Sequence, residues 1–331
     1  MKKLLQLLLI SLAAPLLAKE NLETTTPLTE ESTDLIARLE DTDAAKTFQL
    51  RDNKGHGLDC LDVFQAKKTK KSGYYGVSHS LKKGLLSVHL THSADLRTWT
   101  HLAELDQHGS QATIHETPDG AFLLAYEKDA PNSCWLRLRH YPDLTALSKG
   151  KFDREFDIPR TLAPTAEGTP NFESVEMKNG DLNQSKITLR FHYYQNAQVD
   201  QLSQGTLTNF REWKASPSPK INQALKNLGG KGNLGDRSKF QWRNKTYYLQ
   251  EVQGTRLDWG SWGIFLCDHN GFPLKKINIQ TPGKSKAFSN PSVSKVLGPD
   301  GKPLLILAAF LHSKGSAANE VGQMLSIFSL E

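Results

Sequence analysis

A short segment recurs three times along this chain. It reads Ser93-Ala94-Asp95-Leu96-Arg97-Thr98-Trp99, then Asp143-Leu144-Thr145-Ala146-Leu147, then Asn209-Phe210-Arg211-Glu212-Trp213. Each copy is a short acid or amide, an apolar residue, two spacers and a second large apolar residue, and each follows an apolar, strand-like run. The copies stand roughly 50 to 65 residues apart, a period that points to a propeller or a solenoid. A propeller would gather polar residues from distant parts of the chain around one central channel.

Turn chemistry supports the same architecture. Polar turns at Lys71-Ser72-Gly73, Pro118-Asp119-Gly120, Asn179-Gly180-Asp181, Arg243-Asn244-Lys245 and Pro299-Asp300-Gly301 each separate two strand-like runs. Gly, Asn and Asp supply the backbone conformations that tight hairpins need. Behind them come Tyr74-Tyr75-Gly76-Val77, Phe122 to Tyr126, Ile187 to Phe191, Tyr247-Tyr248-Leu249 and Leu304 to Leu307, residue types that suit a pleated, half-buried surface. Five turns before five strands predict an all-β, five-bladed β-propeller of four-stranded antiparallel blades over residues 47–331. The competing architectures are a large β-sandwich and a six-bladed ring with one blade disguised.

The ends and the charge narrow the function classes. Lys2 and Lys3 precede an apolar run from Leu4 to Leu12, and small residues follow at Ala13, Ala14 and Ala18. That is the layout of a Sec-type bacterial signal peptide over residues 1–18, too short for a membrane span, and it predicts a periplasmic or secreted protein with no integral membrane segment after cleavage. Residues 19–46 are polar and read as an arm or linker, with Leu35, Ile36 and Leu39 on an amphipathic turn that Thr33 or Asp34 would cap. Three cysteines, Cys60, Cys134 and Cys267, leave at least one thiol unpaired, and no C-x-x-C suggests zinc or redox chemistry. The net charge of +6 is spread thinly apart from Lys67, Lys68, Lys70 and Lys71, which fall in a hairpin turn. Without basic residues interleaved with aromatics on one face, nucleic acid is not an expected partner.

Innermost strands line the channel, so function is sought in the strand before each turn. Those strands offer Asp59 and Asp62 in blade one and Gln111 in blade two. Blade three offers Asn171 and Glu173, blade four Asp236 and Arg237, and blade five Asn290. All are polar, and buried polar groups cost free energy unless paired; a water-filled pocket holding a polar ligand removes the conflict.

Ser93-x-Asp95-Leu96-x-x-Trp99, together with Asp62 leading to Gly73-Tyr74-Tyr75, resembles the five-bladed β-propeller superfamily of glycoside hydrolases, which includes the family 43 arabinanases and xylosidases and the family 32 invertases. The resemblance covers most of residues 56–330. It implies a carbohydrate ligand and three inner-strand carboxylates. A general base would be Asp62, with Asp59 as the alternative register, and a general acid would be Glu173 with a raised pKa. The blade-two position, where the family carries an orienting Asp, is Gln111 here, and Asp236 would have to supply the third carboxylate. Such a pair acts by protonating the leaving oxygen on one side while activating water on the other. Two expectations follow: an exported glycosidase working by acid/base catalysis, and a glycan-binding propeller that has lost the carboxylate triad.

Asp59, Gln111, Asn171, Arg237 and Asn290 would contact substrate. Among the histidines near predicted strand ends (His56, His79, His108, His192 and His312), His108 and His192 are candidate substrate contacts. No cofactor is required; the resemblance allows a structural calcium ion in the channel, with His312 the positional match for its histidine. Trp259 reads equally as a sugar-stacking wall or an inter-blade wedge, whereas Trp262 reads as packing.

Overall fold

The computed structural model describes residues 27–68, 73–196 and 199–330, so the expected signal peptide lies outside it. Helix α1 (Glu30–Leu39) and strand β1 (Ala45–Thr47) come first. Blade one is β2 (Asp59–Phe64), β3 (Tyr74–Lys82), β4 (Leu85–Ser93) and β5 (Thr100–Gln107). Blade two is β6 (Gly109–Glu116), β7 (Phe122–Ala130), β8 (Ser133–Tyr141) and, after helix α2 (Leu144–Ser148), β9 (Arg154–Asp157). Blade three is β10 (Glu167–Lys178), β11 (Asp181–Gln195), β12 (Val199–Thr208) and β13 (Glu212–Pro217). Helix α3 (Pro219–Asn227) leads to blade four: β14 (Leu234–Trp242), β15 (Lys245–Gln253), β16 (Trp262–Cys267) and β17 (Pro273–Ile277). Blade five is β18 (Phe288–Leu297), β19 (Pro303–Leu311) and β20 (Gly322–Ser329), completed by β1, which pairs antiparallel with β20. The molecule is a five-bladed propeller of four-stranded antiparallel sheets.

Each recurring segment joins the third and fourth strands of its blade. After β4, Ser93 Oγ accepts from Leu96 N (2.8 Å), and Asp95 Oδ1 accepts from Arg97 N (2.9 Å) and Thr98 N (2.8 Å). The turn drives Leu96 and Trp99 into the core, 2% and 1% exposed. After β8, Asp143 Oδ1 accepts from Ala146 N (2.7 Å) and caps α2, burying Leu144 and Leu147. Between β12 and β13, Asn209 and Phe210 take positive φ values of 55° and 52° and bury Phe210. The short polar residue thus satisfies or turns the backbone, and the apolar ones anchor the outer edge.

The polar N-terminal segment is packed rather than free over its described part. Leu35, Ile36 and Leu39 join a core cluster with Trp242 and Phe328, tying α1 to blades four and five. The cap lies earlier than Thr33 or Asp34: Thr29 accepts from Ser32 N (3.2 Å) while Ser32 Oγ accepts from Thr29 N (2.8 Å), a reciprocal box that starts the helix one turn sooner. Cys60, Cys134 and Cys267 are all free and buried. Trp242 and Trp262 are buried as well.

Candidate functional site

All five innermost strands carry the same defect. Asp59 pairs with His79 and Asp62 with Val77, so three steps on β2 meet two on β3. The same extra residue falls between Ser110 and Thr113, Gly168 and Asn171, Leu234 and Arg237, and Ser289 and Ser292. These are β-bulges, and they re-aim side chains. Cys60, Gln111, Thr169 and Asn290 sit in them at φ values of 55°, 53°, 50° and 47°, a left-handed conformation unfavourable for non-glycine residues. Second-strand side chains hold the bulge amides in place. His79 Nδ1 accepts from Gln111 N (3.2 Å), Glu127 Oε2 from Thr169 N (3.1 Å) and Glu251 Oε2 from Asn290 N (2.6 Å), each reaching across to the next blade.

The bulges bring Asp62, Gln111, Asn171, Asp236 and Asn290 around one central channel, together with Thr113 and Ser292. At this waist the free volume is ≈ 20 Å³, room for about one water, whereas Asp62, Thr113, Asn171 and Ser292 also border a cavity of ≈ 510 Å³ toward the ends of the inner strands, with Lys239 and Glu116 in its wall. Asp62 accepts from Thr113 Oγ1 (3.0 Å), Ile114 N (3.2 Å) and Ser292 Oγ (3.1 Å), bridging blades two and five. Burial still outweighs these bonds and raises its pKa. Asp236 accepts from Asn171 Nδ2 (2.6 Å) and from Arg237 N (2.6 Å). Burial, with Glu251 beside it, raises Asp236 well above the ordinary carboxylate range. The donor set here is carboxylate, amide and hydroxyl oxygen, which suits a hard cation.

Glu173 is elsewhere, and its chemistry is the reverse of the expected one. A second irregularity in β10, between Phe172 and Ser174, breaks the alternation that would have put Glu173 on the face of Asn171. Its carboxylate meets Arg190 Nε (2.6 Å), Lys239 Nζ (3.0 Å) and Tyr248 Oη (2.8 Å). Burial pushes its pKa up, but Arg190, Tyr248 and Lys239 outweigh that and leave it below the ordinary value. A carboxyl held ionised by two cations is a poor proton donor. Arg237 also turns from the channel: Nε donates to Gln250 Oε1 (2.6 Å), and its guanidinium lies 5.1 Å from the Tyr248 ring centre.

A wider opening lies on the upstream face, where the inner strands begin. This depression of ≈ 750 Å³ is lined by His108, Glu127, Asp129, Cys134 and Tyr194 among others. Gly168 makes room for the carboxyl that reaches inward there, since a Cβ at that position would collide with Glu127 Oε2. Gly235 does the same for Glu251 Oε1. Ligand atoms of Glu127, Asp129 and Cys134 lie within 4.8 Å of one another. Burial, then the neighbouring Glu127, lifts Asp129 to about 7, and burial lifts Glu127 too. Asp59, at the start of β2, is lifted by burial to about 6. Glu127 and Glu251 escaped sequence reasoning because they stand on second strands; the only signal for them is a glycine on the facing strand.

The remaining candidates are scattered around this face. His108 is exposed beside the depression, and its carbonyl accepts from Asp129 N (2.8 Å). His192 approaches Asp200 (3.5 Å) at the edge of Gly168. Trp259 is 56% exposed, and its ring centre lies 5.2 Å from that of His312. His312 bonds Ser289 Oγ (2.8 Å) and packs against Trp262 and Phe310. Burial drops its pKa to about 4. It is not among the residues lining the channel.

No protein-family model matches the chain, and no curated protein matches it in sequence. Solved structures do match. A thermostable family-43 glycoside hydrolase aligns over 86% of this chain and 93% of its own, at 11% identity and a TM-score of 0.55. An exo-1,5-α-L-arabinanase from a bovine ruminal metagenomic library aligns over 85% and 96%, at 13% identity and 0.54. An α-L-arabinofuranosidase from Podospora anserina, solved with cellotriose, aligns over 86% and 94%, at 11% and 0.52. The chain therefore has the fold of the five-bladed propeller glycoside hydrolases.

Proposed function

We propose that this is an exported, carbohydrate-active propeller that cleaves a glycosidic bond at its upstream face, with Asp129 as the proton donor. One observation carries the reading: Asp129, with a pKa near 7, lies beside Glu127 in a depression large enough for sugar rings. A carboxyl that keeps its proton near neutral pH is what general-acid cleavage requires. Asp59, the alternative register in blade one, is the second carboxyl and would activate water. Glu127 holds the shared proton on Asp129 and orients it. Trp259, exposed in the blade-four loop and outside the lining of this depression, would offer an aromatic face only to a sugar extending toward blade four. Asp62, Asp236, Gln111, Asn171 and Asn290 line the narrow waist of the channel and would hold a structural calcium ion there, neutralising the two acids. Export rests on the N-terminal pattern; among the described residues no helix is long and apolar enough to cross a membrane.

A second reading has its own support. Gln111 stands where the resemblance expects an acid, and Glu173 is locked in ion pairs, as a binding propeller without turnover would allow. The deciding experiment measures reducing-sugar release and glycan binding by the purified protein across plant, algal and microbial polysaccharides, with Asp129→Asn and Asp59→Asn alongside. Release that falls by about 10²–10⁴ in Asp129→Asn supports cleavage. Binding without release, unchanged in both variants, moves the assignment to a lectin-like role. Release indifferent to Asp129 overturns the proposed acid.

A further inference from the structure

Blade one carries a second polar cluster, on its outer strands and away from both the channel and the upstream depression. His89 lies on β4, His101 on β5 and His56 in the loop entering β2. One ring nitrogen from each can be chosen so that all three lie within 4.8 Å of one another. His89 Nδ1 and His101 Nε2 are 3.3 Å apart. That is the edge of a tetrahedron with metal–nitrogen bonds of about 2.0–2.1 Å, roughly 3.3–3.4 Å.

The opposite nitrogen of every ring has a partner. Asp52 Oδ2 accepts from His56 Nδ1 (2.9 Å), Ser80 Oγ meets His89 Nε2 (2.9 Å), and Lys54 Nζ meets His101 Nδ1 (3.0 Å). Asp52 is itself buried, and its other oxygen takes Lys54 N (2.8 Å) and His56 N (2.9 Å), which fixes the loop. A carboxylate behind a histidine, leaving the far nitrogen free, is the usual outer-shell arrangement of metal sites.

We propose that His56, His89 and His101 bind one divalent transition-metal ion, zinc in the first instance, through His56 Nε2, His89 Nδ1 and His101 Nε2. Three neutral imidazoles select zinc, copper, nickel or cobalt over magnesium or calcium and leave a fourth position open. Two adjustments accompany loading. His56 and His89 are stacked, with ring centres 4.7 Å apart and planes 12° from parallel, so the His56 ring turns until its lone pair converges with the others. Lys54, exposed, donates to His101 Nδ1, which places that ring's proton on Nε2. Metal binding moves the proton to Nδ1 and displaces the ammonium. Lys54 is therefore a competitor of the ion.

The test is calorimetric titration of tag-free, chelator-treated protein with Zn(II), and separately with Ca(II). The expected result is one Zn(II) per chain, no Ca(II) uptake at this cluster, and loss of Zn(II) uptake in His56→Gln and His101→Gln. Asp52→Asn weakens Zn(II) binding on the order of 10–100-fold. Lys54→Met tightens it, and His269→Gln, at an exposed distant site, leaves it unchanged. Co(II) substitution of the wild-type protein gives the visible absorption of a nitrogen-ligated, four-coordinate ion, a readout independent of how the variants fold. The inference is overturned by absent stoichiometric uptake, by uptake that survives both histidine variants, or by a six-coordinate Co(II) spectrum.

Discussion

Replacing Glu173 by Gln separates a catalytic acid from a structural anion. The carboxylate is 18% exposed and faces Arg190, itself 16% exposed, at 2.6 Å. The Arg190 guanidinium also lies 4.6 Å from the Tyr248 ring centre, with Lys239 on the other side of the carboxylate. Removing one partner of a buried ion pair costs ~3–5 kcal/mol because the other charge is left uncompensated. The residual solvent contact and the amide oxygen, which keeps a hydrogen bond to Tyr248, bring the expected loss down to about 2 kcal/mol. For a chain of this size that lowers the melting temperature by about 3 °C. The loss depends on pH in a defined direction. The folded pKa of Glu173 lies below its unfolded value of 4.5, so its stabilisation is present above about 4.5 and disappears as the pH falls through the folded value. Urea melts of wild type and Glu173→Gln at pH 7 therefore differ by about 2 kcal/mol, and the two curves converge as the pH drops below 4.5. An unchanged midpoint at pH 7, combined with lost sugar release, would refute the reasoning and return Glu173 to the role of acid.

Two further outcomes follow from the upstream face. Gly168→Ala drives a methyl into the Glu127 carboxylate and strips the Thr169 amide of its acceptor. The expected loss is about 3 kcal/mol from overpacking and the orphaned donor, and Glu127→Ala added to it costs less than the sum of the two single changes; strictly additive denaturation midpoints would contradict the contact. Asp129 has the opposite linkage to Glu173. Its folded pKa of about 7 lies above the unfolded 3.8, so its contribution is complete below 3.8 and is lost as the pH rises through 7. Asp129→Asn should accordingly gain on wild type in thermal melts between pH 5 and pH 8, and a constant difference across that range would mean the carboxyl is ionised throughout.

Local chemistry made most of the ring legible. Asn179-Gly180 and Asp300-Gly301 announce their hairpins because few residues adopt φ of 53°, 73° or 79° without strain. Ser93 and Asp95 announce the outer turn because their oxygens cap amides within three residues. The polar set Asp62, Gln111, Asn171, Asp236 and Asn290 was recoverable because every inner strand carries its bulge at a similar distance before the second strand begins, so residues read by offset converge in space. Glu173 was misplaced for the converse reason: period-two alternation fails at an irregularity between Phe172 and Ser174, and no sequence pattern marks it. Glu127 and the bond from Asp129 to the His108 carbonyl depend on which strand lies opposite which, information absent from any local window. Of the His56, His89 and His101 cluster only His56 was singled out from the sequence, since the spacing comes from pairing β4 with β5 and folding the Asp52 loop across them.

Pairing of β1 with β20 has a consequence for synthesis. Ala45 pairs with Ile327, so the fourth strand of blade five is supplied by residues made before the first four blades and received by a strand made after them. Until β20 emerges from the ribosome, the circle stays open and blade five lacks the partner for its outermost strand. Closing so long a loop carries only a slowly growing entropic cost, but it delays the non-local contacts to the final moment. A chain halted a few residues short of Gly322 would thus hold four assembled blades and an unsealed seam, the state in which an exposed strand edge is most open to pairing with another molecule.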